Sequence, residues 1–255
     1  MLKCIELDDW RLFFRVLTFN IHNGINWYGE YNLKQIADFI REIKPDFVGI
    51  QEASCFWSRK THYQDMEAFF KKRLEMFSMF SATLCRTDNA LFGNLVLSSF
   101  PIIKTWTSIL PGSLEPRNFI TIQVQAGGIR INFLTTHLGL ADVDRLLQIR
   151  KIIQFSLRLG KPLIITGDFN EQPNGPVVTN IKKNWVKLNS TTQLGTIRRK
   201  DQLIGPEVDM VFTTSDFILK NIEVCDNYLS DHLPVIADLE LKTRWAETAG
   251  QNIYQ

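Results

Sequence analysis

The stretch Ser230-Asp231-His232-Leu233-Pro234 stands between two predicted strands, 217–224 and 235–241. Neighbouring Asp and His residues in a turn can both point into one cleft, whereas on a strand they would face opposite sides. An ordinary surface turn could also contain this pair. The pair gains weight because three other polar clusters each follow an apolar, strand-like run: TFNIHNG (18–24), GIQE (49–52) and GDFN (167–170). Oxygen and imidazole groups that converge from strand ends indicate a site that binds a hard metal ion and promotes attack on a phosphate.

The size and charge of the chain are those of an ordinary globular domain. It has 255 residues, of which 45% are hydrophobic and 22% are charged. The formal net charge of +2 is too small to indicate nucleic-acid binding by the protein surface as a whole. A polyanion would therefore have to bind at a local basic patch. We expect one domain over residues 1–255, with a core over about 12–241 and a tail over 242–255.

Cysteine usage and the N-terminal charges favour a cytoplasmic protein. The cysteines are scattered without a CxxC pair, which is typical of reduced thiols in the cytosol. A signal peptide needs an uninterrupted apolar segment, which the charged residues near the N-terminus interrupt (Glu6, Asp8, Asp9, Arg11 and Arg15). The apolar runs are too short to span a bilayer. We therefore expect no transmembrane segment, and we infer no obligate protein partner.

The order of predicted elements favours two strand-rich halves with helices inserted between them. Apolar residues at helical spacing predict helices over 33–43, about 64–76 and 142–159. Gly127-Gly128 indicates a two-residue hairpin. Strands are predicted at 12–19, 47–51, 77–84, 95–98, 102–109, 120–124, 129–135, 163–166, 208–213, 217–224 and 235–241. Two sheets packed face to face, with helices outside, bury this pattern better than a Rossmann sheet, because no GxGxxG follows the first strand.

Three residues suit the metal ion and the attacking water that phosphodiester hydrolysis needs. The carboxylate of Glu52, which we place at a strand end, is a suitable Mg²⁺ ligand. Asp168 could accept a proton from the water, and the amide of Asn170 could hold that water or donate to a phosphate oxygen. A solvated Glu opening a loop and an Asx-turn at Gly167-Asp168 explain the same residues without chemistry.

Two histidines suit the phosphate itself. His137 follows a predicted strand and could donate to a phosphate oxygen, although a histidine in this position is often structural. His232 could bind the phosphate or assist proton transfer if a carboxylate fixes its tautomer. Asp209 could supply that carboxylate, since a charged residue flanked by apolar residues in a strand needs a partner.

Taken together, these segments resemble the endonuclease/exonuclease/phosphatase family, the deoxyribonuclease-like superfamily, and especially its small prokaryotic members. The matching segments are, in order, TFNIHNG, GIQE, GNLVLSS-PI, EPR, TTHLG, GDFN, VDMVF and SDHLP, and they cover roughly residues 12–241. The resemblance implies an α/β (α+β) fold, a four-layer αββα sandwich of two mixed sheets flanked by helices. It also implies catalysis with a divalent metal, Mg²⁺ or Mn²⁺, at one edge of the two sheets.

The resemblance also implies a role for each matching residue. Glu52 would be the main metal ligand, supported by Asn20 and Asp231. The catalytic group would comprise Asp168 and Asn170 at the water, His137 at the phosphate, and Asp209 holding His232. Asn94 and Arg117 fall where the family presents substrate-contacting groups, although a strand-edge Asn and a salt-bridged Arg are equally good interpretations.

One position departs from the abasic-site nucleases of the family. These enzymes carry an acidic, metal-facing residue two positions after the first Asn, where this chain has His22. The chain also lacks their Trp- and Tyr-rich substrate motif. Both differences argue against abasic-site repair, and His22 becomes a candidate substrate contact.

The sequence does not decide whether the substrate is a nucleic acid or a lipid or sugar phosphate. Arg198 and Arg199, with the following Lys200, could bind a DNA or RNA backbone or a phosphorylated head group, or could form a solvated loop. Our leading hypothesis is a Mg²⁺-dependent nuclease acting on DNA more than RNA. The alternative is a lipid or sugar phosphoesterase, sphingomyelinase-like or acting on inositol phosphates. A non-catalytic binding protein ranks third, because it would have lost at least one of the residues Glu52, Asp168, Asp209 and His232.

Overall fold

The computed structural model describes residues 11–87, 89–189, 195–201 and 203–242. Cys4, the acidic residues near the N-terminus and nearly all of the predicted tail lie outside this set. The described elements are β1 Phe13–Asn20, α1 Leu33–Ile43, β2 Phe47–Cys55, α2 Met66–Leu74, β3 Phe77–Cys85, β4 Leu91–Ser98, β5 Ile102–Leu110, β6 Arg117–Ala126, β7 Ile129–His137, α3 Asp142–Leu159, β8 Leu163–Asp168, α4 Pro176–Ile181, β9 Val186–Lys187, β10 Asp209–Thr213, β11 Phe217–Val224 and β12 Val235–Leu241.

The strands form two mixed sheets of six strands each. The first has the order β11-β12-β1-β2-β4-β3, and the second has the order β5-β6-β7-β8-β10-β9. One pair in each sheet is parallel, β1 with β2 and β7 with β8. The other strand pairs described are antiparallel. Since parallel neighbours end at the same edge, the second sheet brings His137 and Asp168 from two adjacent strand ends to one rim, where Asn20 at the end of β1 meets Asp168.

Alternation along the strands sends residues to two different cores. In β1, Val16 packs between the sheets with Phe47 and Phe133, whose rings stack at 5.2 Å. The next residue, Leu17, faces α1 and α2 on the outside of the first sheet. On the second sheet, apolar residues of β7, β8 and β10 pack under α3 and α4. The layers are therefore helix, sheet, sheet and helix, which confirms the predicted sandwich.

Local signals in the sequence account for several element boundaries. Helix α1 begins and ends where its apolar spacing and Pro45 predict, and helix α3 also has the predicted bounds. Gly127 and Gly128 join β6 to β7 with φ angles of 53° and 79°, as a two-residue type I′ hairpin requires. Among the described helices, none is both long and apolar enough to cross a bilayer.

The prediction that Glu52 ends a strand is wrong. Strand β2 continues to Cys55, and its register with β4 shifts between Ile50 and Ala53. Glu52 has a φ of 57°, so the chain bulges there and pairing resumes afterwards. A bulge re-aims a side chain without ending the strand. The sequence also did not predict the two-residue strand β9, because so short a segment has no periodicity to detect.

A polar network joins the two sheets just below the rim. Gln51 Nε2 donates to Thr135 Oγ1 at 2.8 Å, and Thr166 Oγ1 lies 3.2 Å from the same oxygen. All three side chains are buried. Gly49 faces this network, and a Cβ placed there would lie 2.4 Å from Thr135 Oγ1 and 2.6 Å from Thr166 Oγ1. The close approach of the sheets therefore requires glycine at this position.

We expect Gly49→Ala to lower the free energy of unfolding by about 1–3 kcal/mol, the usual effect of overpacking a core. Chemical denaturation of the two proteins measures this difference. In a Thr135→Ala background, which removes the nearest oxygen, the same substitution should be less destabilising. An unchanged free energy of unfolding for Gly49→Ala would mean that the sheets separate easily at this point.

Candidate active site

Strand ends carry the predicted polar residues to one rim. Asn20, His137 and Asp168 are the last residues of β1, β7 and β8, and Asp209 is the first residue of β10. Within the second sheet the pairing register places His137 opposite Asp168, and Asp168 opposite Asp209. Main-chain pairing thus sets three of the predicted catalytic residues side by side on adjacent strands.

Asp209 and His232 form a hydrogen-bonded pair. His232 Nδ1 lies 2.8 Å from Asp209 Oδ2, and Asp209 is fully buried. Burial by itself would lower the pKa of His232, but the charges of Asp209 and Asp168 and the hydrogen bond to Asp209 outweigh it and raise the pKa to about 10. At neutral pH the ring is therefore an imidazolium whose other nitrogen, Nε2, remains to meet a substrate.

Asp168 lies at the centre of the rim. Its Oδ2 accepts a hydrogen bond from Asn20 Nδ2 at 3.1 Å, and its Oδ1 accepts one from the backbone N–H of Asn170 at 2.9 Å. The same Oδ2 lies 3.4 Å from His137 Nε2 and 3.8 Å from His232 Nε2. This carboxylate therefore contacts or adjoins every other member of the predicted catalytic group.

Glu52 is a partly buried carboxylate whose hydrogen-bond partner is a neutral amide. Asn20 Nδ2 donates to Glu52 Oε1 at 3.1 Å, and the same amide contacts Asp168, so Asn20 bridges the two acids. Burial raises the pKa of Glu52, while the Asn20 hydrogen bond and the charge of His232 oppose the rise and Asp231 adds to it. A nearby cation would offset the energetic cost of this desolvation and favour the ionised carboxylate.

His137 is buried between donor groups. Arg117 Nη1 lies 3.3 Å from its Nδ1, and Asn170 Nδ2 lies 3.1 Å from its Nε2. A doubly protonated ring would bring its own N–H groups against these donors. Burial, reinforced by the charge of Arg117 and partly offset by Asp168, lowers the pKa of His137 to about 3. The ring is therefore neutral at physiological pH, unlike the ring of His232.

The structure separates Asp231 from its neighbour His232. Its carboxylate Oδ1 lies 3.5 Å from His22 Nδ1, at the outer side of the rim. The backbone N–H of His22 donates to Asn20 Oδ1 at 3.0 Å, which keeps this pair next to Asn20. The adjacent residues Asp231 and His232 therefore have different partners at the rim: Asp231 contacts His22, and His232 contacts Asp209.

The structure does not bring the basic residues before Asp209 to the cluster as a group. The buried guanidinium of Arg198 pairs with Asp226 and lies 4.2 Å over the ring of Tyr228. Arg199 is exposed and pairs with Asp201 at 3.4 Å. Arg198 therefore supports a loop, and Arg199 remains at the surface.

The other two candidate substrate contacts lie at different distances from the rim. Arg117 is buried beside His137, and its Nη1 also pairs with Glu115 at 2.9 Å. Asn94 is buried within β4 and donates to Asn118 Oδ1 at 2.7 Å. Arg117 thus adjoins the catalytic group directly, whereas Asn94 connects the two sheets through Asn118.

Thr196 is a positioning residue that sequence reasoning missed. Its Oγ1 accepts the backbone N–H of Asp209 at 3.0 Å, and its carbonyl accepts that of Leu233 at 2.7 Å. One buried residue thus ties the segments that carry Asp209 and His232. No motif marks it, because a threonine in an aperiodic segment resembles any other loop threonine.

Two groups of side chains offer ligands that a divalent ion could use. Ligand atoms of Asp168, Asp209 and His232 lie within 4.8 Å of one another. In that group, however, Asp209 Oδ2 already accepts from His232. Glu52 presents a partly buried carboxylate with a neutral partner, and hard divalent ions prefer such oxygen ligands. The carboxylate chemistry of Glu52 therefore fits Mg²⁺ or Mn²⁺ better, and Asn20 orients that carboxylate.

Comparison with known proteins gives a consistent result. The model of the Endonuclease/Exonuclease/phosphatase family matches residues 17–232, which include all the residues of the rim. No curated protein matches the chain significantly.

Similar folds include an endonuclease/exonuclease/phosphatase from Beutenbergia cavernae (TM-score 0.75, 22% identity, 90% of this chain and 72% of that one). The mannosyl-6-phosphatase of Bacteroides thetaiotaomicron has a TM-score of 0.72 at 17% identity (89% and 99%). The catalytic domain of human Nocturnin, with bound sulfate, has a TM-score of 0.71 at 19% identity (91% and 97%).

Proposed function

The chain belongs to the endonuclease/exonuclease/phosphatase family, and we propose that it is a divalent-metal-dependent phosphoesterase that cleaves nucleic acid, DNA in preference to RNA. The observation that supports this most is the arrangement around Asp168. It lies beside the His232–Asp209 pair on one side and is bridged by Asn20 to Glu52 on the other. Such an arrangement offers a cationic donor, an acceptor for water and a metal ligand within one rim.

Glu52 would hold the metal, with Asn20 and Asp231 on its side of the rim. When bound, Mg²⁺ would neutralise charge on the phosphate oxygens and on the leaving oxygen. We assign this ion to Glu52 because the hydrogen bond to its carboxylate comes from a neutral amide, whereas the carboxylate of Asp209 is already paired with the ring of His232. Binding of the ion would leave Asp168 free to act on water.

The charges of Asp168, His232 and His137 determine the role that we propose for each side chain. Asp168, whose two oxygens are oriented by Asn20 and by the N–H of Asn170, would orient the water and accept its proton. His232, held cationic by Asp209, would donate from Nε2 to a phosphate oxygen. His137 is neutral, so it would orient the phosphate by hydrogen bonding without adding charge.

The choice of nucleic acid rests on features outside the rim. Arg199 and Lys200 are exposed in the segment that precedes Asp209, where they could contact a phosphate backbone. The fold itself does not choose a substrate, because a mannosyl-6-phosphatase has a similar one.

One observation favours the second candidate, a lipid or sugar phosphoesterase. Leu114, Leu140 and Val143 expose 64%, 68% and 70% of their surface. The segments that carry them, two loops and the first turn of α3, are neighbours, since Ser113 donates to Asp144 Oδ2 at 2.8 Å. These segments flank the end of β7 that carries His137. An apolar edge of this kind could face an acyl chain or a membrane surface.

We expect the protein to nick supercoiled plasmid in Mg²⁺ and to stop when a chelator is added. Asp168→Asn should lose the activity, because the substitution puts an N–H donor among the donor groups of Asn20 and Asn170. Gel electrophoresis of the plasmid measures the conversion. Activity retained by this variant would remove Asp168 from the reaction. Inactivity of the intact protein on plasmid, with hydrolysis of sphingomyelin or sugar phosphates, would favour the second candidate.

We also propose the cytoplasm as the compartment. Among the described residues, Cys55, Cys85 and Cys225 are free thiols, and Cys55 is buried. Free thiols are stable in a reducing environment. These free thiols therefore support the same compartment that the scattered cysteines of the sequence favour.

A further inference from the structure

Two loops at the outer side of the rim are joined to each other. One connects β1 to α1, and the other connects β11 to β12. The backbone N–H of Trp27 donates to the carbonyl of Tyr228 at 3.1 Å, and Asn32 Nδ2 donates to the carbonyl of Leu229 at 3.0 Å. These contacts hold the two loops as one unit.

The two loops present a pair of stacked tyrosines to solvent. The rings of Tyr28 and Tyr228 have centroids 5.6 Å apart and planes inclined by 28°. Tyr28 is 67% exposed and Tyr228 is 44% exposed. Exposed stacked aromatic rings are a surface on which a further flat ring can bind.

Arg198 supports this pair from inside the protein. Its guanidinium lies 4.2 Å from the centre of the Tyr228 ring and is anchored by Asp226 and by the carbonyl of Asn227. The charge of Arg198 is thus already neutralised by an acid, and its planar group serves as the base of the stack. Arg198, which the sequence presented as a candidate substrate contact, therefore supports Tyr228, and Tyr228 in turn supports the exposed ring of Tyr28.

The loop that carries Tyr28 is preorganised. Asn26 Oδ1 accepts the backbone N–H groups of Tyr28 and Glu30, both at 2.9 Å, and the backbone N–H of Asn26 donates to the carbonyl of Glu30 at 2.8 Å. A tight turn closed in this way holds its tip residue in place before a ligand arrives. Little ordering entropy would be lost on binding.

The stacked pair lies close to the reacting groups along both chain segments. Tyr228 precedes His232 by four residues, so their Cα atoms are separated by at most about 14 Å. Tyr28 follows His22 by six residues, and His22 contacts Asp231 at 3.5 Å. A nucleotide next to the bond being cleaved could therefore reach the pair while its phosphate stays at the rim.

We propose that Tyr28 and Tyr228, supported by Arg198, form a stacking site for a nucleobase adjoining the scissile phosphate. This inference rests on the proposed function and specifies its substrate as a nucleic acid with at least one unpaired base, because a base within a duplex has no free face to stack. A negatively supercoiled plasmid offers such bases where its strands open locally. The site would contribute to KM rather than to the chemical step, since it does not touch the reacting atoms.

The test uses two single-stranded oligonucleotides with the same backbone, one with bases and one built from abasic residues. With Mg²⁺, the intact protein should have a KM for the first that is lower by about 5- to 150-fold, the usual effect of one base–aromatic stack. Tyr28→Ala and Tyr228→Ala should each reduce this difference with little change in kcat, whereas Tyr28→Phe should retain it. Phe13→Ala is the matched control: Phe13 is 55% exposed and lies at the far end of β1 from Asn20, about 23 Å away.

Equal KM values for the two oligonucleotides would overturn the stacking site while leaving the proposed hydrolysis intact. A KM that rises equally for both in the Tyr28→Ala protein would do the same. Fluorescence anisotropy of both labelled oligonucleotides in chelator separates binding from hydrolysis. Tighter binding of the base-containing one, lost in Tyr28→Ala, would support the site even if neither were cleaved, and equal binding would contradict it.

Discussion

Replacing His232 by glutamine should lower kcat by about 10²- to 10³-fold, the range typical of losing one donor that stabilises charge in the transition state. Glutamine is of similar size and can still donate a hydrogen bond, but it cannot carry the positive charge that Asp209 stabilises on the ring. KM should change little, because the charge matters most as negative charge develops in the transition state. Steady-state kinetics on the substrate identified by the nicking test measures both constants.

Asp209→Asn tests the same pair from the other side. Removing the carboxylate charge leaves burial, which lowers the pKa, as the largest influence, so NMR titration should place the pKa of His232 well below about 10. The effects of the two substitutions on kcat should be far from additive, since the residues act as one unit. His62→Gln, an exposed histidine beside Tyr31, is the control. Full activity of His232→Gln would exclude this histidine from the reaction.

Glu52→Gln should abolish Mg²⁺-dependent hydrolysis and the thermal stabilisation that Mg²⁺ provides. An ion that binds the folded state at 100 times its Kd stabilises it by about 2.7 kcal/mol, which appears as a higher Tm. The amide has the shape of the carboxylate without its charge, so the variant should show little shift in Tm between Mg²⁺ and chelator. Differential scanning calorimetry measures the shift without requiring activity.

In chelator, where no Mg²⁺ is bound, Glu52→Gln should stabilise the protein instead of destabilising it. Burial raises the pKa of Glu52 in the folded protein, so the ionised group favours the unfolded state, and stability falls as pH rises through that pKa. Glu52→Gln should then have a higher Tm than the intact protein at neutral pH. Glu75→Gln, at an exposed position, should change neither value. A Mg²⁺-dependent rise in Tm that survives in Glu52→Gln would place the ion with Asp168, Asp209 and His232.

Local sequence signals predicted the layers of the fold well. The apolar spacing of α1 and α3 and the hairpin at Gly127-Gly128 depend on neighbours within a few positions, and all three appear where predicted. The eleven predicted strands were correct in place, and seven of them were shorter than the observed ones. Strand ends depend on pairing partners from distant parts of the chain, so local composition sets them poorly.

The sequence by itself determined which side chains could meet at the rim, because Asn20, His137 and Asp168 each end a strand and parallel neighbours end together. Only the tertiary structure decided how each is used. A bulge paired against β4 orients Glu52, and contacts with Asp226 and Tyr228 turn Arg198 into a support. The physical reason is that hydrogen-bond partners, desolvation and register come from residues far apart in the chain, which local periodicity does not report.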